Sequence, residues 1–173
     1  MLEIGTNNGG TLFLFCRAAD PAATVISVDL PGGLFGGGYS VLRVPYFRAF
    51  GSPRQRVVLL RMDSHAPRTA DRVRRALGGR PLDFLFIDGD HTYGGVRQDF
   101  ETYGPMVRPG GLVAFHDILP TATGVGGEVP KFWTEVKGQY ESEELVEDPG
   151  QGMMGIGLIR VPEAGVEPAR GAP

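Results

Sequence analysis

The chain reads as a doubly wound α/β domain, a mostly parallel sheet of seven strands with an antiparallel pair at its C-terminal edge. Three observations point there. Strand-like and helix-like stretches alternate along most of the sequence, the pattern of a parallel sheet covered by helices on both faces. The first strand-like stretch passes through a glycine-dense turn, residues 5–10, into an apolar helix. Two later apolar runs, Leu82 to Ile87 and Gly111 to Phe115, end abruptly in Asp88-Gly89-Asp90-His91 and His116-Asp117. In open parallel sheets, ligands sit outside the carboxyl ends of the strands, where these polar groups fall.

Taken in order, strands are expected near 2–5, 24–29, 56–62, 82–88 and 111–116, with helices near 9–19, 40–50, 66–78, 94–107 and 128–138. Leu82 to Ile87 is a short, continuously apolar run, as a strand buried on both faces requires. The helix over 66–78 rests on Ala70, Val73 and Leu77 at helical spacing. Its arginines Arg68, Arg72, Arg74 and Arg75, with Arg80 beyond, read as a solvated face in preference to a phosphate-binding patch. Pro109-Gly110-Gly111 reads as the stop before the fifth strand. After Trp133, the segments 140–147 and 153–161 follow each other with no helix between them, which predicts the antiparallel edge pair. The domain is expected to cover residues 1–162, leaving 163–173, rich in Pro, Gly and Ala, as a flexible tail. Of two further glycine-dense loops, 31–39 permits close backbone approach to a ligand or forms a mobile flap, and 121–127, just beyond the fifth strand, is placed to close over a substrate.

Composition narrows the function. At 173 residues, 42% hydrophobic and with mean hydropathy −0.07, the chain is one globular domain without a membrane-length apolar run. A net charge of −3, with Lys131 and Lys137 the only lysines, gives no electrostatic reason to expect nucleic acid. Cys16 is the single cysteine, so internal disulfides and cysteine-built zinc sites are excluded, and its apolar neighbours suggest an inert buried thiol. Met1 to Ile4 passes directly into polar residues rather than a secretory signal, which places the chain in the cytoplasm.

The chemistry gathers at the strand ends. The turn Gly5-Thr6-Asn7-Asn8-Gly9-Gly10 suits backbone donors brought against a cofactor, although its glycines do not match the usual dinucleotide fingerprint. Asp29 stands twenty residues after Gly9 at the end of the second strand, where an acid accepts hydrogen bonds from ribose hydroxyls. Together they suggest an adenosine-containing cofactor. Asp63 follows the third strand and reads either as a neighbour of the adenine or as a cap for the next helix. If the strands ending in Asp88 and Asp117 are neighbours, roughly 4.8 Å apart, the two carboxylates can hold one cation between them. Asp90 reads as a ligand or a helix cap, and His116 as a ligand or a structural hydrogen-bonding group.

Glu3-Ile4-Gly5-Thr6-Asn7-Asn8-Gly9, Asp29, Asp63-Ser64, Phe86-Ile87-Asp88-Gly89-Asp90-His91-Thr92-Tyr93 and Pro109-Gly110-Gly111-Leu112 resemble, in order and spacing, the class I S-adenosylmethionine-dependent methyltransferases. The likeness is closest to the branch of macrocin-type sugar O-methyltransferases and cephalosporin hydroxylase-like proteins, and covers most of residues 2–160. It implies a Rossmann-like methyltransferase fold and S-adenosylmethionine bound by Glu3, Gly5, Thr6, Asn7, Gly9, Asp29, Asp63 and Asp88. It further implies magnesium on Asp88 and Asp117, with His91 as the base. The implied reaction is O-methylation of a small-molecule hydroxyl on a sugar or natural product. A non-catalytic cofactor-binding scaffold and an NAD-linked oxidoreductase are the alternatives. Such enzymes carry a helical cover before the first strand, and this chain begins at that strand. The uncovered apolar surface leads to the expectation of a homodimer.

Overall fold

A computed structural model describes residues 1–32, 37–120, 127–148, 150, 152 and 154–163. Residues 33–36 of the first glycine loop, 121–126 of the second and 164–173 of the expected tail lie outside the described residues. The chain divides into two compact units, Met1–Arg80 and Pro81–Pro173.

In the first unit, β1 (Leu2–Ile4), β2 (Thr24–Asp29) and β3 (Arg56–Arg61) alternate with α1 (Gly10–Ala18), α2 (Val44–Arg48) and α3 (Pro67–Leu77). The strands pair in parallel, Ile4 opposite Val28 and Asp29 opposite Arg61. That register brings the end of β1, Asp29 and Arg61 to one edge of the sheet. Leu2, Glu3 and Ile4 are all buried, so β1 is covered on both faces as a central strand must be. Leu12, Cys16, Val25, Tyr39 and Phe47 form a core cluster of this unit. Burial pushes the Cys16 thiol up to about 11, helped by the nearby Glu3 carboxylate, and keeps it protonated and unreactive. The helix expected over 40–50 is interrupted: a 3-10 turn at Val41–Arg43, capped by Ser40, leads into α2, whose first turn carries Pro45. On α3 the stripe Thr69, Ala70, Val73, Ala76 and Leu77 is buried, leaving Arg68, Arg72, Arg74 and Arg75 exposed.

The second unit contains β4 (Leu82–Ile87), α4 (Tyr93–Tyr103), β5 (Val107–His116), α5 (Val129–Lys137), β6 (Glu141–Leu145) and β7 (Ile156–Arg160). β4 and β5 are parallel, while β5–β7 and β6–β7 are antiparallel, giving the expected edge pair. All seven strands, with their alternating helices, are those of a mostly parallel, Rossmann-like fold. Phe115 is the hub of the packing, its ring 5.5 to 5.9 Å from those of Phe100, Phe132 and Trp133. The edge strand β6 exposes every residue, and Glu141, Glu143 and Glu144 discourage pairing with another chain. Gly157 is required by close approach, because a Cβ there would fall 2.7 Å from three atoms of the Trp133 ring.

Two further boundaries differ from the sequence expectation. α4 stops at Tyr103 and gives way to a 3-10 turn at Gly104–Met106. Pro105 lacks the N–H that a continuing helix would use. Pro109-Gly110-Gly111 lies inside β5 rather than before it. The β4–β5 register jumps there, Gly110 takes φ +71°, and the strand continues by pairing with the backbone of Val161. No described helix is long and apolar enough to cross a membrane.

Candidate functional site

The first cluster of candidate residues lies at the carboxyl edge of the first unit. The turn after β1 reverses sharply, with φ at +91° for Gly5, +44° for Asn7 and +83° for Gly9. Asn tolerates that conformation through its short polar side chain. Gly9 is required twice over, since a Cβ would also fall 2.6 Å from Phe47 Cε1. α1 starts from Gly9 with no side-chain cap, so its first amides face the turn unpaired by a cap.

Asp29 organises this turn. Its Oδ2 accepts from the amides of Thr6 (2.9 Å) and Asn7 (2.7 Å), and its Oδ1 from the amide of Leu30 (2.7 Å). Thr6 is buried and its hydroxyl bonds to that of Ser27 on β2. The sequence suggested only a ribose acceptor at Asp29; the structure adds a backbone clamp through the same carboxylate. Glu3 is fully buried, and its Oε1 accepts from Thr11 Oγ1 at 2.5 Å, tying β1 to α1. Asp63 is exposed, and its Oδ1 accepts from the amide of His65 at 2.9 Å. Its carbonyl takes the Thr69 hydroxyl at 2.6 Å, so Asp63 shapes the entry to α3, whose cap position is Ala66.

The second cluster lies in the second unit, at the ends of the paired strands β4 and β5. Ile87 is opposite Phe115, which sets Asp88 beside His116 with Asp117 next in line. His91 Nε2 lies 3.3 Å from Asp88 Oδ1 and 3.0 Å from Asp117 Oδ2. His116 Nδ1 lies 3.4 Å from Asp88 Oδ1 and 3.2 Å from Asp117 Oδ1. Neither of these His116 approaches has hydrogen-bond geometry, so a buried ring nitrogen is aimed between two carboxylates without bonding either. Asp88, His116 and Asp117 each offer a ligand atom, all within 4.8 Å of one another. Asp117 holds φ +60°, a left-handed backbone that few residues besides glycine, Asn and Asp adopt, and such positions concentrate at functional sites.

The charges are strongly coupled. Contacts with Asp117 and then Asp88 push both His91 and His116 up to about 10, against a smaller opposing effect of burial. Asp117 is held well below the usual carboxylate range by His116 and His91. Burial raises Asp88, but its contacts with the same two imidazoles outweigh this and leave its carboxyl lowered. Near neutral pH the cluster is therefore two carboxylates balanced by two imidazolium ions, the charge that one divalent cation would supply. Asp88, expected to serve cofactor and cation alike, is placed in this second cluster.

Supporting residues outside the expected set fix His91. The amide of Glu128 donates to the His91 carbonyl at 2.7 Å, and Glu128 Oε2 accepts from the Tyr93 amide at 3.2 Å. Gly127 packs so closely that a Cβ would meet His91 Cβ at 2.6 Å. The cap of α4 is Thr92, whose hydroxyl accepts from the Gly95 amide, whereas Asp90 bonds the Thr92 amide at 2.9 Å and packs against Gly95. No local pattern marks Glu128 in the sequence; its partners lie more than thirty residues upstream.

The sequence pattern of the methyltransferase domain family matches residues 2–118, a span that includes every candidate residue of both clusters. Among curated proteins, the chain is 29% identical over 157 residues to the uncharacterized protein y4gI of Sinorhizobium fredii, covering 89% of this chain and 17% of that protein. Among solved structures it is similar to the N-methyltransferase NodS from Bradyrhizobium japonicum WM9, with TM-score 0.62, 15% identity, and 94% of this chain and 85% of that one covered. It is similar also to the MycE methyltransferase of the mycinamycin biosynthetic pathway, in complex with Mg, S-adenosylhomocysteine and mycinamycin VI. There the TM-score is 0.56 at 20% identity, covering 92% of this chain and 43% of that one. The chain thus spans less than half the length of y4gI and of MycE. At these identities the structures speak to fold, and the family match speaks to kinship: the chain belongs to the methyltransferase domain family and has the class I S-adenosylmethionine-dependent methyltransferase fold.

Proposed function

We propose that the chain transfers a methyl group from S-adenosylmethionine to a hydroxyl of a small molecule, a sugar or natural product, with the help of a divalent cation such as magnesium. The observation that carries this reading is the convergence of Asp88, Asp117, His116 and His91 at the ends of two paired strands. The first unit is assigned the cofactor, through Glu3, Gly5, Thr6, Asn7, Gly9, Asp29 and Asp63; the second is assigned the activation of the acceptor.

The donor set fits a hard cation. Two carboxylates supply the oxygens such ions prefer, and Nδ1 of His116, aimed between them, would supply a third donor once an incoming cation displaces its proton. When bound there, a divalent cation supplies Lewis-acid polarisation of the acceptor hydroxyl. S-Adenosylmethionine supplies the electrophile, a methyl group on a sulfonium, so positioning is most of the protein's task. With Asp88 and Asp117 engaged elsewhere, His91 loses the acceptors that keep it protonated, and Nε2 can take the hydroxyl proton. Held by the glycine turn and Asp29, S-adenosylmethionine would give up its methyl group to the acceptor oxygen and depart as S-adenosylhomocysteine, the acceptor's proton passing to His91.

Calorimetric titration tests the assignment of the cofactor. Saturable binding of S-adenosylmethionine is expected, and none of NAD. Asp29→Ala should weaken binding by about 1.5–3 kcal/mol, the range for a hydrogen bond to a charged group. It should also lower the stability of the ligand-free protein, because the Thr6 and Asn7 amides lose their acceptor. Wild-type affinity in a folded Asp29→Ala protein would remove Asp29 from the site.

A homodimer belongs to the same proposal. In the first unit Phe13, Leu14, Val41, Leu42 and Tyr46 are exposed, Leu42 to 85%. Association of two copies covers such apolar surface. Light scattering should return twice the 18.6 kDa chain mass; a monodisperse single-chain mass would dispose of the dimer.

A further inference from the structure

The first unit buries a polar group that belongs neither to the glycine turn nor to the strand-end acids. Tyr39 is only 4% exposed, and its hydroxyl has no hydrogen-bond partner among the described residues. Buried hydroxyls are almost always paired, and phenylalanine would fill the same space without stranding a donor.

The surroundings place this tyrosine in the framework of the cofactor turn. Its amide donates to the Leu30 carbonyl at 3.3 Å, and the Leu30 amide in turn donates to Asp29 Oδ1. Gly38 makes the approach possible, since a Cβ there would lie 2.4 Å from the Leu30 carbonyl oxygen. Arg61, at the end of β3, closes the arrangement from the other side. Its Nε donates to the Tyr39 carbonyl at 2.9 Å, its Nη2 to the Pro31 carbonyl at 3.3 Å, and its guanidinium carbon lies 5.8 Å from the centre of the Tyr39 ring. The ring packs edge-on against Phe47 at 4.9 Å, and Phe47 is the side chain that touches Gly9. Tyr39 is thus fixed by backbone, cation and ring contacts, each leading to Asp29 or to the glycine turn.

We propose that Tyr39 is a cofactor-reading residue, its hydroxyl donating a hydrogen bond to a ribose hydroxyl of the S-adenosylmethionine held at the Gly5–Gly10 turn. The inference rests on the assignment of the cofactor to that turn. The chemistry is complementary: the Asp29 carboxylate only accepts, a phenol donates, and a ribose hydroxyl does both. Burial, then the charge of Asp29, pushes the Tyr39 hydroxyl up to about 12, so it keeps its proton and remains a donor. Arg61 is a positioning residue in this arrangement, holding the carbonyls of Tyr39 and Pro31.

The test is Tyr39→Phe, which preserves the ring packing. S-Adenosylhomocysteine should bind the variant roughly 3- to 10-fold more weakly, the range for one net hydrogen bond, while the melting temperature of the ligand-free protein stays the same or rises. With 2′-deoxy and 3′-deoxy forms of S-adenosylhomocysteine as probes, one of the two should bind wild type and variant alike. Equal affinity of both proteins for S-adenosylhomocysteine overturns the role of Tyr39 and leaves the cofactor assignment standing. A fall in the melting temperature without ligand shows that the hydroxyl is partnered inside the protein, and overturns the premise. Absence of saturable binding to the wild type overturns this inference and the cofactor assignment together.

Discussion

Asp117→Asn is expected to reduce methyl transfer roughly 10³-fold, the equivalent of the several kcal/mol that a divalent cation contributes when it polarises a reacting oxygen. Asp117 and Asp88 are the two carboxylates of the cluster, and Asp117 touches both imidazoles, His91 at 3.0 Å and His116 at 3.2 Å. Asparagine keeps the shape and tolerates the +60° φ of this position, so the fold should survive and the lost charge is what the rate reports. A chelator acting on the wild-type protein should produce a loss of the same size. In both cases S-adenosylmethionine should still bind, because the turn and Asp29 hold no part of the cation. The measurement is the initial rate of S-adenosylhomocysteine formation with saturating magnesium and a hydroxylated acceptor, paired with a cofactor titration. Full turnover in chelator, or an unimpaired Asp117→Asn enzyme, would mean that positioning alone carries the reaction.

The parts of this arrangement legible in the sequence are those set by local pattern. The apolar runs before Asp88 and before His116-Asp117 mark two buried strands that end in polar chemistry, and the β4–β5 register aligns those endings. The glycine turn and the acid ending the second strand are visible for the same reason. What stayed hidden depends on register and on distant packing. That the Asp29 oxygens serve the Thr6, Asn7 and Leu30 amides follows only once β1 and β2 are paired. His91 reaches both carboxylates because Gly127 and the Glu128 amide press on its backbone from 36 and 37 positions away, the differences of the residue numbers. Pro109-Gly110-Gly111 read as a stop because both residue types break regular structure, yet the β5 backbone there finds its partner in Val161, beyond β7. Tyr39 and Arg61 carried no local signal, since each matters only through its contacts across the carboxyl edge of the first unit.

His91→Ala should behave differently from the aspartate variant, and the contrast separates a base from a ligand. Its Nε2 faces both carboxylates, Asp88 at 3.3 Å and Asp117 at 3.0 Å, and these contacts push the imidazole up to about 10. While the carboxylates face only the imidazoles, His91 is a proton donor; under the proposed function it would become a base when their charge is drawn to a cation. If His91 receives the acceptor's proton as proposed, its removal should lower turnover by roughly 10²–10⁴-fold, as expected for loss of a general base. Cation binding should persist, because Asp88, His116 and Asp117 remain, and removing a positive charge from their neighbourhood eliminates a competitor. Calorimetric titration with magnesium should therefore show affinity equal to or tighter than wild type for His91→Ala, and weaker for Asp117→Asn. Added imidazole should restore part of the lost rate to the histidine variant and none to the aspartate variant. If His91→Ala loses magnesium binding together with turnover, His91 is a ligand and the proton leaves by another route; if its rate is unchanged, His91 is a structural partner of the two aspartates.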